Sequence, residues 1–136
     1  MEFKNMPDYK VALFEGKKIR RHWDGDKELW YFSLVDVVQV LTGQFDFTIA
    51  RKYWNKLAER LRTEGSEVVT KRHQLKMLAA DGKMRLTAVA DTEVMLRIIQ
   101  SIPSPNAEPF KLWLARVGYE RLEETADPEL AINRAL

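Results

Sequence analysis

Arg51, Lys52, Asn55 and Lys56 are the residues of this chain whose types and spacing come nearest to a function. In a helix, residues four apart stack on one face, so Arg51 with Asn55 and Lys52 with Lys56 form two adjacent rows that fall, with Glu59, on the face opposite the apolar stripe. Arginine and lysine hold phosphates or guanine, and asparagine can pair with the major-groove edge of adenine. A second set, Lys17, Lys18, Arg20, Arg21 and His22, places five basic groups within six positions. On a hairpin arm such a run could follow a phosphate backbone. Each set also has a plainer reading. The first could be the solvated face that keeps a helix soluble, and the second an edge strand made unattractive to other edges by charge. Lys71-Arg72 is a weaker third element.

Other chemistries are poorly served. Cys is absent, which removes disulfides, thiolate nucleophiles and thiolate metal sites together and fits a reducing compartment. The two histidines, His22 and His73, each lie in a basic run without a second histidine three or four residues away, so a zinc site would need distant carboxylates. The glycines sit singly and form no phosphate-binding loop. All but Gly118 have turn, cap or packing explanations. Ser33, Ser66, Ser101 and Ser104 have capping or loop readings and no nucleophile-elbow context. The expectation is a non-enzymatic chain with no cofactor and no metal. The start, MEFKNMPDYK, carries no apolar run, and no window approaches the ~20 apolar residues that span a bilayer. A cytoplasmic protein without membrane contact is expected.

Charge sharpens the binding case. The net charge of +2 divides unevenly: residues 1–90 hold 17 Lys/Arg against 12 Asp/Glu, and residues 91–136 hold 5 against 8. A basic first part and an acidic second part fit a molecule with one face for an anionic partner.

The elements that must position these residues follow from the pattern of the chain. Residues 1–9 read as a loose leader. Residues 10–14 (KVALF) read as a short strand and Glu15-Gly16 as a turn. Residues 17–23 and 27–32 flank Asp24-Gly25-Asp26, a hairpin signal. Ser33 starts a helix as a capping box with Asp36 in the reciprocal place, and Thr42-Gly43 ends it. A longer helix over 48–63 follows, stopped by Gly65, with Ile49, Tyr53, Leu57 and Leu61 as its inner stripe, supported by Ala50, Trp54 and Ala58. The order helix, short turn, helix is that of a helix-turn-helix. A second hairpin turns at Asp81-Gly82, with Leu75 and Met77 on one strand and Met84 and Leu86 on the other.

The core is expected beneath residues 92–124, read as two helices broken by Ser101-Ile102-Pro103-Ser104-Pro105. Asp91 caps the first, whose apolar face is Val94, Met95, Ile98, Ile99 and Ile102. Asn106 caps the second, with Pro109 at the third helical position and Phe110, Trp113, Leu114 and Val117 facing inward. Asp127-Pro128 then starts another helix, 129–136, which has barely formed where the sequence stops and reads as truncated from a longer protein. Strands arriving as antiparallel hairpins, not strand-helix-strand crossovers, give an α+β class: short hairpins packed with four to five helices.

The segment LRIIQSIPSPNAEPFKLWL, residues 96–114, resembles the hallmark of the BRO family N-terminal domain. WYFSLVDVV at 30–38, RKYW at 51–54, QLKM at 74–77 and LTAVADTE at 86–93 extend the resemblance over about residues 10–130. It implies a small α+β domain, taken here as 10–126, that binds DNA at the N-terminus of a larger phage or prophage protein and acts as an antirepressor or regulator. The implied partner is DNA. The alternative is a repressor or other host protein, captured without any contact to DNA. No motif assigns the DNA contacts, so Lys17, Lys18, Arg20, Arg21, Arg51, Lys52, Asn55 and Lys56 stand as candidates on their chemistry alone. Oligomeric state is left open, a homodimer included.

Overall fold

A computed structural model describes residues 11–66 and 73–120. The leader, Lys10, the Lys71-Arg72 pair and the helix expected from Asp127 onward lie outside the described residues. The described chain runs β1 (Val11–Phe14), β2 (Lys17–Asp24), β3 (Leu29–Ser33), α1 (Leu34–Thr42), α2 (Phe47–Thr63), β4 (His73–Leu78), β5 (Met84–Asp91), α3 (Thr92–Ile99) and α4 (Ala107–Val117). The two hairpins share one five-stranded antiparallel sheet in the order β1-β2-β3-β5-β4. This is the α+β class expected. No described helix is long and apolar enough to cross a membrane.

The join between the hairpins is β3 against β5, through Tyr31↔Asp91, Phe32↔Ala90 and Ser33↔Val89. The sequence reading carried the second hairpin only to Leu86 and so missed the half of β5 that becomes a central strand. Past Ser33 the shared strand ends, and β2 at 17–20 pairs only with β1 while β5 at 84–88 pairs only with β4. α1 begins at that fork. Ser33 is its N-cap, with Oγ accepting from the Asp36 N–H at 3.3 Å, and Gly43 closes it at φ +70°.

One sheet face carries Ile19, Trp30, Phe32 and Ala90 into a core shared with all four helices. The other carries a smaller cluster of Tyr31, Met77 and Val89, flanked by Leu29 and Leu75. α3 and α4 supply the floor as expected. Asp91 accepts from the Val94 N–H at 2.9 Å, and Val94, Met95, Ile98, Ile99, Ile102, Phe110, Trp113, Leu114 and Val117 are all buried. Phe14, Phe110 and Trp113 form a ring cluster with centroids 5.0–5.6 Å apart, and the Trp113 indole donates to the Leu13 carbonyl at 2.8 Å. Gly118 has a packing reason. A Cβ there would lie 2.5 Å from the Thr92 side chain and 2.6 Å from the Leu114 carbonyl, so only glycine lets the end of α4 meet the start of α3.

Several local expectations are corrected. Asn106 makes no side-chain cap to α4; Ser104 Oγ accepts from the Asn106 N–H and donates to the Leu41 carbonyl. The β2–β3 turn is not an Asp-Gly turn. Asp24 accepts from the N–H groups of Asp26 and Lys27 at 3.0 and 3.1 Å, and the left-handed residue is Glu28, not Gly25. The β4–β5 turn does place Gly82 at positive φ, after a turn closed from its N–H to the Ala79 carbonyl. α2 starts one residue earlier than expected, because Asp46 is its N-cap, accepting from the Ile49 N–H at 3.1 Å. It ends as Gly65 predicts: the Ser66 N–H reaches the Leu61 carbonyl and the Gly65 N–H that of Arg62, a Schellman closure. Its inner stripe is Ala50, Trp54, Leu57, Ala58 and Leu61, while Ile49 stays half exposed.

Candidate nucleic-acid interface

β2 alternates its side chains between the sheet faces, and this decides the fate of its basic run. Ile19, Arg21 and Trp23 point one way; Lys18, Arg20 and His22 point the other. Arg21 therefore enters the core beside Ile19. Only 8% exposed, it lies over the Trp30 ring at 3.9 Å from its centroid, donates to the Val117 carbonyl at 3.4 Å and approaches the Glu120 carboxylate at 3.7 Å. A guanidinium there offsets the unsatisfied carbonyls at the end of α4.

Arg20 is engaged at the fork. Its Nε and Nη2 bind the two Asp36 oxygens at 2.9 and 3.0 Å, and Nη1 reaches the Leu78 carbonyl at 3.0 Å. Its backbone N–H also donates to Asp36, at 2.8 Å. Asp36 is thus no reciprocal partner of Ser33, as the capping-box reading expected. It is the carboxylate that ties β2 to α1, while Arg20 extends the tie to the end of β4. The expectation that the whole arm follows a phosphate backbone is corrected here: Arg20 and Arg21 are neutralised inside the fold. The signal was available. Ile19-x-Arg21-x-Trp23 is a period-two pattern that puts Arg21 on the apolar face.

The other candidates are outside. Lys17 and Lys18 are exposed at the start of β2, and Arg51, Lys52, Asn55 and Lys56 are exposed on α2. Among the described residues no carboxylate pairs with any of these five cations. Lys17 leans over the Phe45 ring, its nitrogen 4.9 Å from the centroid, and Phe45 lies just before the α2 N-cap. The tip of the arm and the positive end of the α2 dipole are therefore neighbours.

Across from α2 lies the β4–β5 hairpin, and between them runs an open cleft of about 530 Å³. One wall presents Phe47, Arg51, Trp54 and Asn55. The other presents Gln74, Arg85, Leu86 and Thr87, with Arg20 and Val35 at its base. Among the described residues no carboxylate lines it. The sequence reading named Arg51 and Asn55 but not Phe47, Gln74, Leu86 or Thr87, because their meeting depends on sheet order, which no local pattern encodes.

A second, shallower hollow of about 230 Å³ is lined by His22, Asp24, Lys27, Tyr31, His73, Gln74 and Leu75. The histidines, remote in sequence, come to either side of Tyr31, and the His73 ring stands edge-on to it at 5.3 Å. Among the described residues no three His, Asp or Glu side chains are grouped to hold a metal ion.

No curated protein and no solved structure matches the chain. The family model of the BRO family, N-terminal domain, matches residues 18–122, which takes in β2, the α1–α2 pair, the β4–β5 hairpin and the α3–α4 floor. This chain belongs to the BRO family through that N-terminal domain.

Proposed function

We propose that this is a DNA-binding regulatory domain of a phage or prophage antirepressor-like protein, acting without catalysis. The observation that carries the reading is the outer flank of α2. Arg51, Lys52 and Lys56 stand exposed and free of carboxylate partners among the described residues, with Asn55 between them. α1 and α2, separated only by residues 43–46, keep helix-turn-helix order, with α2 as the second helix. Lys17, over the Phe45 ring, adds charge beside its N-terminus, and Lys18 is exposed next to it in sequence. Family membership supports the same direction. The cations hold phosphates, and Asn55 is the side chain fitted to a base edge.

The triple variant Arg51→Ala, Lys52→Ala, Lys56→Ala tests this with a labelled duplex titrated across a salt series. Each lost phosphate contact lowers the slope of log K against log salt by about one. A slope reduced by about three, with unchanged thermal stability, is expected. Unchanged affinity and slope would remove α2 from the interface.

A second reading rests on α4 and the turn after it, where Leu112 and Tyr119 are 74% and 61% exposed. Exposed apolar side chains of that size fit a protein partner, such as a captured repressor. Retention of a partner from nuclease-treated extract, lost on Leu112→Ser and joined to an absence of duplex binding at low salt, would favour it.

A further inference from the structure

The β4–β5 hairpin outruns the rest of the sheet and exposes its apolar side chains on the wrong face for the small cluster beneath it. Leu78 pairs with Met84, and Lys76 with Leu86. Residues facing each other across a ladder share a face, so Leu78, Met84 and Leu86 line up together with Gln74 and Ala88. They stay 59%, 59% and 64% exposed, while Met77, facing the other way, is buried. Leu86, Ala88 and Gln74 open onto the cleft, opposite Phe47, Arg51 and Asn55. Its walls therefore combine apolar side chains on both sides, two amide groups able to donate hydrogen bonds (Asn55 and Gln74) and Arg51, a cation with no carboxylate partner among the described residues. Arg20 and Arg85 add guanidinium groups already held by Asp36 and Asp81.

We infer that this hairpin is a second DNA-contacting element, and that one strand of a DNA duplex seats its sugar-phosphate backbone in the cleft. The inference rests on the DNA reading of α2 and adds an occupant and an opposite wall. A carboxylate-free cleft with a cation on one wall selects an anion. Apolar walls want an occupant that is also partly apolar, and deoxyribose rings meet Leu86 and Phe47 while a phosphate meets Arg51. A cleft of about 530 Å³ takes one strand and not a whole duplex, so the remainder of the double helix rests on the outer flank of α2. A two-stranded ribbon is also an element known to enter a DNA groove.

The test compares Leu86→Ala with Arg51→Ala in the full 136-residue chain, using a labelled duplex at several salt concentrations. Leu86 is largely solvent-exposed, so its truncation leaves the fold intact, which the urea midpoint checks. Loss of an apolar contact weakens binding by roughly tenfold while leaving the salt slope unchanged. Arg51→Ala lowers the slope by about one. Gln74→Ala provides a second cleft variant, expected to weaken binding severalfold. If Leu86→Ala and Gln74→Ala bind as the parent does while Arg51→Ala weakens, the hairpin is not a contact element and the α2 reading stands alone. If none of the three weakens binding, both readings fail. Intact duplex binding by Leu86→Ala together with loss of a protein partner would make the hairpin a protein-docking surface and overturn the inference.

Discussion

Arg20-Arg21 in β2 and Arg51-Lys52 in α2 are both adjacent basic pairs, yet they do opposite work. The β2 pair is consumed by the fold: Arg21 stacks on Trp30 and meets the end of α4, and Arg20 clamps Asp36 where the sheet divides. The α2 pair faces water, and among the described residues no carboxylate pairs with it. The cause is geometry. A strand sends neighbouring residues to opposite faces, and in a sheet with both faces in use each meets structure. A helix turns neighbours by only about 100°, so two of them can both fall on its broad solvent-facing half, and a basic cluster there remains a cluster. Charge counted along the chain therefore overstates the charge a ligand meets when the run lies in a strand.

The largest expected effect comes from the clamp. Asp36→Ala leaves the Arg20 guanidinium facing α1 without its carboxylate, while Arg20 is only 21% exposed at its side chain. Removing one partner of a largely buried pair costs about 3 kcal/mol, read as a lower urea midpoint at unchanged m-value. Lys52→Ala, on the helix, should stay within about 0.5 kcal/mol of the parent. A stability loss below that for Asp36→Ala would mean that the β2 arginines are no more structural than those of α2.

Next in size is the end of the arm. Lys17→Ala with Lys18→Ala should lower the salt slope of duplex binding by about two. The stability cost should stay under ~1 kcal/mol, since one exposed cation–π contact with Phe45 is the main loss. The reverse pattern, lost stability and an unchanged slope, would place Lys17 and Lys18 with Arg20 and Arg21 and leave the DNA reading to α2 without the arm. Thermal unfolding and anisotropy titrations on the same preparations separate the two outcomes.

How far the sequence could be read follows the same line between local and distant causes. The buried face of the α3–α4 floor and the Asp91 cap were legible, because capping and the i, i+3, i+4 apolar spacing act within a few turns; the Asn106 cap was not, since Ser104 takes up the Asn106 N–H. The Gly43 and Gly65 helix ends were legible too. Arg21 was half legible, since Ile19 and Trp23 mark its face, but a count of basic residues hid that pattern. Leu86 was misleading. Its alternation with Arg85 and Lys83 reads as half-buried, yet the register sets it opposite Lys76, beyond the reach of the core that buries Ala90 two pairs further along the same face, while Met77 and Val89 are buried on the other side. The cleft was not legible at all. It exists because β5 crosses to pair with β3, a choice settled by long-range pairing and not by any residue near Leu86.

The smallest effect belongs to the hairpin tip, where Arg85 and Asp81 form a third kind of basic contact: paired like Arg20, but as exposed as Arg51. The Arg85 side chain donates to Asp81 from Nε at 3.1 Å and from Nη2. These bonds, with one from the Lys83 N–H, hold the Asp81 carboxyl below its ordinary value of 3.8. A carboxyl depressed in the folded state adds stability that is complete above its unfolded value and fades as pH falls through the lowered folded value. The window is therefore acid, below about pH 4, and both groups face solvent, so salt screens the pair. Following the Asp81 carboxyl by NMR titration should show a midpoint below the usual aspartate range that returns toward it in Arg85→Gln. Raising salt should move the parent in the same direction. A midpoint unmoved by either change would show that the pair does not persist in solution, which would leave Arg85, like Arg51, a free cation on the wall of the cleft.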